Sequence, residues 1–186
     1  FDGDSDFDLA IAGANSAAVS VLVNQGQGTF SEGPLLPSAR MTSVATGDID
    51  QEMRLRLDAV ARYLQDVAND NIEASDYSHS DPFWIVRRTV IDVIQPISWP
   101  ATVTAQRWCG ALSTRWTNMR VRLTAEHETN RFNPEPREPG LIETEAFWIN
   151  VNDQGMPSRI TDDMLEMLSS MTDEHRLRWR SMNPDK

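Results

Sequence analysis

Cysteine, positive charge and long apolar runs are what this sequence has least of. Its one cysteine, Cys109, excludes an internal disulfide framework, and the surrounding Arg107-Trp108-Cys109-Gly110 holds no second thiol at zinc-site spacing. A buried, inert thiol is the ordinary state of such a residue. No stretch reaches the roughly 18 to 20 uninterrupted apolar residues that span a bilayer. The expectation is a soluble, cytoplasmic protein with no membrane span. The start lacks the basic residues and apolar run of a secretory signal, but Phe1 stands where Met would open a chain, so an upstream segment stays open. Lys and Arg number 17 against 28 Asp and Glu, a net charge of -11. That balance speaks against a nucleic-acid partner, since neutralising phosphates needs a basic surface.

The deficit is uneven. Residues 1–50 hold seven acids and one base (Arg40), giving -6; residues 51–186 hold 21 acids and 16 bases, giving -5. In the second part the bases gather at Arg87, Arg88, Arg107, Arg115, Arg120 and Arg122. They are either a patch for an acidic partner or a set of solvated strand-edge guanidiniums.

What the chain does have is a change of grammar at Asp50/Gln51, which divides it into segments 1–50 and 51–186. In the first, the apolar runs Leu9-Ala10-Ile11-Ala12 and Ala18-Val19-Ser20-Val21-Leu22-Val23 are bounded by Gly13-Ala14-Asn15-Ser16 and by Asn24-Gln25-Gly26-Gln27-Gly28-Thr29-Phe30. Short β-rich runs with such boundaries predict a hairpin. Asp2, Asp4, Asp6 and Asp8 precede the first strand, alternating with other residues so that several carboxylates can turn to one point. They form either a calcium-binding cluster or a solvated acidic turn, because calcium wants six or more oxygens. Together with the Phe1-Asp2-Gly3-Asp4 start and the restart at Gly47-Asp48-Ile49-Asp50, these residues make the segment resemble one FG-GAP (VCBS-type) repeat, the unit of β-propeller blades. The resemblance implies calcium at Asp2, Asp4, Asp6 and Asp8. One repeat cannot bury its apolar face without neighbours, so a working propeller within this chain is excluded and function is sought in residues 51–186.

That second segment opens on a helix. Leu57, Val60, Ala61, Leu64, Val67 and Ala68 fall on one apolar face, with Arg62, Gln65, Asp66 and Asn69 elsewhere. A polar loop to Pro82 follows, then strands over 83–94, 101–112, 114–125 and 141–151, a polar loop at 126–140, a second helix over 161–171 with Thr161 as its N-cap, and a charged linker from Asp173 onward. The connections at 95–100 and 110–113 are too short for crossover helices, so the strands form an antiparallel sheet. A sheet that buries both itself and one apolar helix curls around it. The fold class is therefore α+β, a single hotdog, preceded by the β-hairpin segment.

The ordered motifs Leu57 to Asp70, Trp84-Ile85-Val86-Arg87-Arg88-Thr89, Trp99-Pro100, Arg107-Trp108-Cys109-Gly110, Ser113-Thr114-Arg115-Trp116 and Glu145 to Asn152 resemble the N-terminal half of the acyl-acyl carrier protein thioesterases over residues 54–180. The resemblance implies a double-hotdog hydrolase that frees fatty acid from its carrier protein and needs no cofactor. Its partners would be acyl carrier protein, the fatty acyl chain, and a second hotdog domain or a second copy. The catalytic Asp-x-Asn-x-His motif of that family belongs to its second hotdog. None of His79, His127 or His175 sits in such a motif, so no catalytic residue is assigned.

Thioester hydrolysis needs an activated nucleophile, a base and oxyanion donors, and no set of these is legible. Gln65, Asp66 and Asn69 are polar groups of the helix, either a site or a solvent-facing side. Trp84, Trp108, Trp116 and Trp148, one per strand, line an acyl pocket or are ordinary core. Three readings remain open: a thioesterase seen through its acyl-binding half, a noncatalytic acyl-binding or dimerisation module, and a fragment of a calcium-binding propeller protein.

Overall fold

The computed structural model describes residues 9–12, 19–24, 30–32, 38–73, 83–131 and 133–177, with side chains described from Met41 onward. Asp2, Asp4, Asp6, Asp8 and His79 lie outside the described residues, as does the chain from 178.

Strands β1 (Leu9–Ala12), β2 (Val19–Asn24) and β3 (Phe30–Glu32) form an antiparallel three-stranded sheet in sequential order. The hairpin expected over 9–23 is its first pair, in the register Leu9↔Leu22 to Ala12↔Val19. A second, five-stranded antiparallel sheet combines β4 (Ser38–Ser43), β5 (Trp84–Gln95), β6 (Ala101–Leu112), β7 (Trp116–His127) and β8 (Gly140–Asn150) in the order β4-β6-β7-β8-β5. Helix α1 (Leu57–Glu73) packs on β6 and β4, and helix α2 (Asp162–Ser169) packs on β6. This is the hotdog arrangement.

The sheet crosses the seam at Asp50/Gln51. Strand β4 lies wholly before it and pairs with β6 from Ser38↔Arg107 to Ser43↔Thr102. Val44 then joins the main core, with Ile49 packed against it. The Gly47-Asp48-Ile49-Asp50 stretch, which resembles a repeat restarting, serves here as the connection between β4 and α1: Thr46–Asp48 is one turn of 3-10 helix. Asp48 turns inward and accepts hydrogen bonds from Tyr63 Oη (2.7 Å) and from Arg62. Burial alone would raise its pKa, but the bonds from Arg62 and Tyr63 outweigh this and hold it below the ordinary carboxylate value.

Helix α1 has its expected place, but its buried face is turned. The buried residues are Ala59, Val60, Tyr63, Val67 and Ala68, whereas Leu57 is 58% exposed and Ala61 is also exposed. Tyr63 supplants them because Asp48 satisfies its hydroxyl, so its ring can enter the core without stranding a polar atom. Opposite this face stand Val103, Leu123 and Ile142, each at most 1% exposed. Thr161 occupies the N-cap position of α2 but makes no side-chain capping bond.

Candidate functional site

Register decides which strand residues meet the helices. The pairs Arg107↔Val121, Cys109↔Met119, Met119↔Ala146 and Val86↔Trp148 run across one face of the sheet. On it a second core cluster joins Ala68 of α1, Cys109, Leu112, Met119 and Trp148 of the sheet, and Ile160, Met164 and Leu168 around α2. Trp84, Met167 and Met171 pack against it. Methionine is unbranched and polarizable, so a cluster rich in it repacks around an inserted apolar chain at small cost.

The four tryptophans do not share one wall. Trp84 and Trp148 belong to this helix-side cluster, while Trp116 packs with Ala111, Phe147 and Leu177 in a separate cluster. Trp116 meets Phe147 edge-on at 6.2 Å, and its Nε1 donates to the Leu177 carbonyl at 3.2 Å. Trp108 pairs with Arg120 across β7 and lies under the Arg122 guanidinium at 6.0 Å. Alternation within β6 puts it on the face away from Arg107 and Cys109. Gln65 and Asn69 are exposed and bond each other one turn apart, Gln65 Nε2 donating to Asn69 Oδ1 at 3.0 Å.

The six arginines are not one patch either. Arg122 pairs with Glu143 at 2.7 Å and Arg120 with Glu145 at 3.6 Å across the outer face, whereas Arg107 stands on the opposite face. Cross-strand carboxylates spend the charge that a basic patch would offer.

The described histidines and the cysteine are held in other roles. His127 Nε2 accepts the Ser98 N–H at 2.9 Å, and Nδ1–H donates to the Glu138 carbonyl at 2.7 Å. Both ring nitrogens are occupied in the neutral state, and burial pushes its pKa below the ordinary histidine value. Such an imidazole has no free lone pair with which to act as a base. His175 is exposed and donates to the Thr172 carbonyl at 2.6 Å. The Cys109 thiol is fully buried, pushed up to about 11 by desolvation, and donates to the Ala111 carbonyl at 3.4 Å. It is no nucleophile near neutral pH. Among the described residues no group of three His, Cys, Asp or Glu side chains could hold a metal ion, and no helix is long and apolar enough to cross a membrane. Chemically, the described residues offer a packed apolar cluster, and their histidines and cysteine supply no means of cleaving a thioester.

Residues 39–168 match the family described as Acyl-ACP thioesterase N-terminal domain. The chain belongs to that family. Its start, residues 1–55, matches the FG-GAP-like repeat. Two relatives, uncharacterized proteins from two strains of Mycobacterium tuberculosis, are 49% identical over 138 residues, which cover 74% of this chain and 51% of theirs. The chain thus spans about half the length of the curated relatives it matches. Among solved structures, a thioesterase from Thermus thermophilus in complex with coenzyme A and zinc aligns with TM-score 0.58 at 15% identity, covering 73% of this chain and 95% of that one. A predicted thioesterase from Bacillus stearothermophilus aligns with TM-score 0.58 at 12% identity, covering 73% and 96%. At such identities the likeness shows the fold: the thioesterase domain is a single hotdog.

Sequence reasoning left out Met119, Met164, Leu168 and Tyr63. The apolar i, i+4 pair Met164 and Leu168 was a usable signal for a packed face on α2. Spacing puts Tyr63 on the face of Val60 and Val67, but nothing local showed that its hydroxyl could be buried, because the partner lies 15 residues upstream.

Proposed function

We propose that this domain is the acyl-binding half of an acyl-[acyl carrier protein] thioesterase, a hydrolase that releases free fatty acid during fatty acid biosynthesis. The observation that carries the reading is the match over residues 39–168 to the N-terminal domain of that family, in a chain spanning half of its relatives' length. The methionine-rich cluster around Trp84 and Trp148 agrees in chemistry and receives the acyl chain. His127 and Cys109 are tied up and His175 stands exposed on the surface, so in this reading a second hotdog domain supplies the catalytic groups.

The place for that partner is the β5 edge of the sheet. Strand β5 has one neighbour, β8, and its residues Ile85, Val86, Val90, Val93 and Ile94, with Phe83 just before it, are between 40% and 54% exposed. An open edge carrying this much apolar surface invites pairing. The second hotdog domain, or a second copy in its place, covers β5, and acyl carrier protein delivers the substrate.

The test is release of free thiol from palmitoyl-carrier protein and from palmitoyl-coenzyme A, by the 186-residue chain alone and by the chain joined to a C-terminal hotdog of the family. The joined protein should turn over the carrier-protein substrate in preference to the coenzyme A thioester, and the chain alone should stay at background. Saturable turnover by the chain alone, abolished by a substitution within residues 51–186, would overturn the division of labour. Tight acyl binding with no turnover in the joined protein would favour the noncatalytic module instead.

A further inference from the structure

Beside the helix-side cluster stands a cation with no anion among the described residues. Arg54, Arg56, Arg62, Arg120, Arg122 and Arg159 each face a carboxylate. Arg107 faces none among the described residues. Its Nη1 donates to Asn71 Oδ1 at 3.0 Å in the last turn of α1, and its guanidinium lies 5.6 Å from the Trp148 ring centroid. Arg107 is partly exposed, and the burial it has pushes its pKa down to about 10.

A second polar group beside it is also left over. Trp148 is 9% exposed, and its Nε1 is buried with no hydrogen-bond partner. A buried N–H without an acceptor among the described residues is costly, and such groups call for an acceptor. The negative end of α1 accounts in part for the cation, but it does nothing for the indole N–H. An acceptor bonded to the indole N–H at about 2.7 to 3.2 Å would lie beside a ring over whose face the Arg107 guanidinium stands, 5.6 Å from the centroid. Trp148 shares its cluster with Cys109, Met119 and Met164, and Trp84 packs against it, so an acceptor carried on an apolar body suits the place.

We propose that Arg107 and Trp148 form an internal site for a carboxylate carried on an aliphatic chain. The ligand is either a free fatty acid bound head inward or an acyl thioester with a carboxylate at its far end. This rests on the acyl-binding reading of the domain and narrows its ligand class.

The experiment titrates the full chain with dodecanoate and with methyl dodecanoate at pH 8, following binding by calorimetry and the indole N–H resonances by NMR. Dodecanoate should bind at least about tenfold tighter than its ester, the effect of a charge-assisted hydrogen bond. The Trp148 resonance, identified by its loss in Trp148→Phe, should move downfield with the acid and stay in place with the ester. Arg107→Met should bring dodecanoate to the affinity of the ester and leave the ester unchanged, and Arg107→Lys should retain part of the preference. If Arg107→Met does not fold, the wild-type indole shift still decides. Dodecanoyl-pantetheine compared with its ω-carboxylated analogue separates the two sources: tighter binding of the analogue identifies the distal carboxylate, and equal binding identifies the free acid. Equal affinity for acid and ester, or an unmoved Trp148 resonance, overturns the carboxylate site alone. Binding of neither ligand overturns it together with the acyl-binding reading.

Discussion

Replacing Tyr63 by Phe removes one oxygen atom and tests how the segment before the seam is fastened to the hotdog. The hydroxyl donates to Asp48 at 2.7 Å, with Tyr63 7% and Asp48 5% exposed. A hydrogen bond to a charged group contributes about 1.5 to 3 kcal/mol. Phe keeps the ring packing and Arg62 still reaches the carboxylate, so the expected loss is about 1.5 to 2.5 kcal/mol, or about 3 to 10 °C in Tm for a chain of this size. Urea unfolding followed by tryptophan fluorescence should show a lower midpoint at unchanged slope. The loss should also depend on pH. Asp48 has a lowered folded pKa, so its contribution is complete above the ordinary value of 3.8 and is lost as pH falls through the folded value. Desolvation, then the bond to Asp48, raises Tyr63 from 10.0 to about 12, so its contribution is complete below 10 and is lost as pH rises toward 12. The difference between wild type and variant should therefore be widest near neutrality and shrink at both ends. A loss under about 0.5 kcal/mol, or no coupling in a double-mutant cycle with Asp48→Asn, would refute the fastening.

Three further outcomes follow from the same coordinates. A Cβ on Gly140 would stand 2.5 Å from Ile97 Cγ1 and 3.1 Å from Ile97 Cα, and Ile97 is 1% exposed, so Gly140→Ala should destabilise by about 1 to 3 kcal/mol. Calorimetric melts should show Gly140→Ala costing less in an Ile97→Ala background than in the wild type. His127 has a lowered folded pKa, so its contribution is present above the ordinary 6.5 and is lost as pH falls through the folded value; melts between pH 7.5 and 5 should lose this slope in His127→Gln. Cys109, at about 11 and fully buried, should react with iodoacetamide at pH 8 only as fast as the chain unfolds, and mass spectrometry showing rapid labelling of the folded protein would contradict its placement.

Helix α1 and strands β5 to β8 were legible because periodicity is a local property: apolar positions every three or four residues make a helix and alternation makes a strand. The connection at 95–100, too short for a crossover, implied antiparallel pairing, and one helix with such a sheet implied a hotdog. Parity within a strand separates two faces without saying which one meets the helix. Trp108 and Trp148 therefore read alike in the sequence and stand on opposite faces in the fold, since the register Cys109↔Met119 and Met119↔Ala146 decides the matter. Segment 1–50 was legible as a repeat from its own turns, yet β4 pairs with β6, more than fifty residues later, and no local pattern carries that partner. The same holds for the chemistry. Composition shows that histidine and cysteine are scarce, but only the tertiary structure ties up both nitrogens of His127, buries the Cys109 thiol and sets Arg107 against Trp148 with no anion among the described residues, because protonation and hydrogen bonding depend on neighbours that the chain brings together only when it folds.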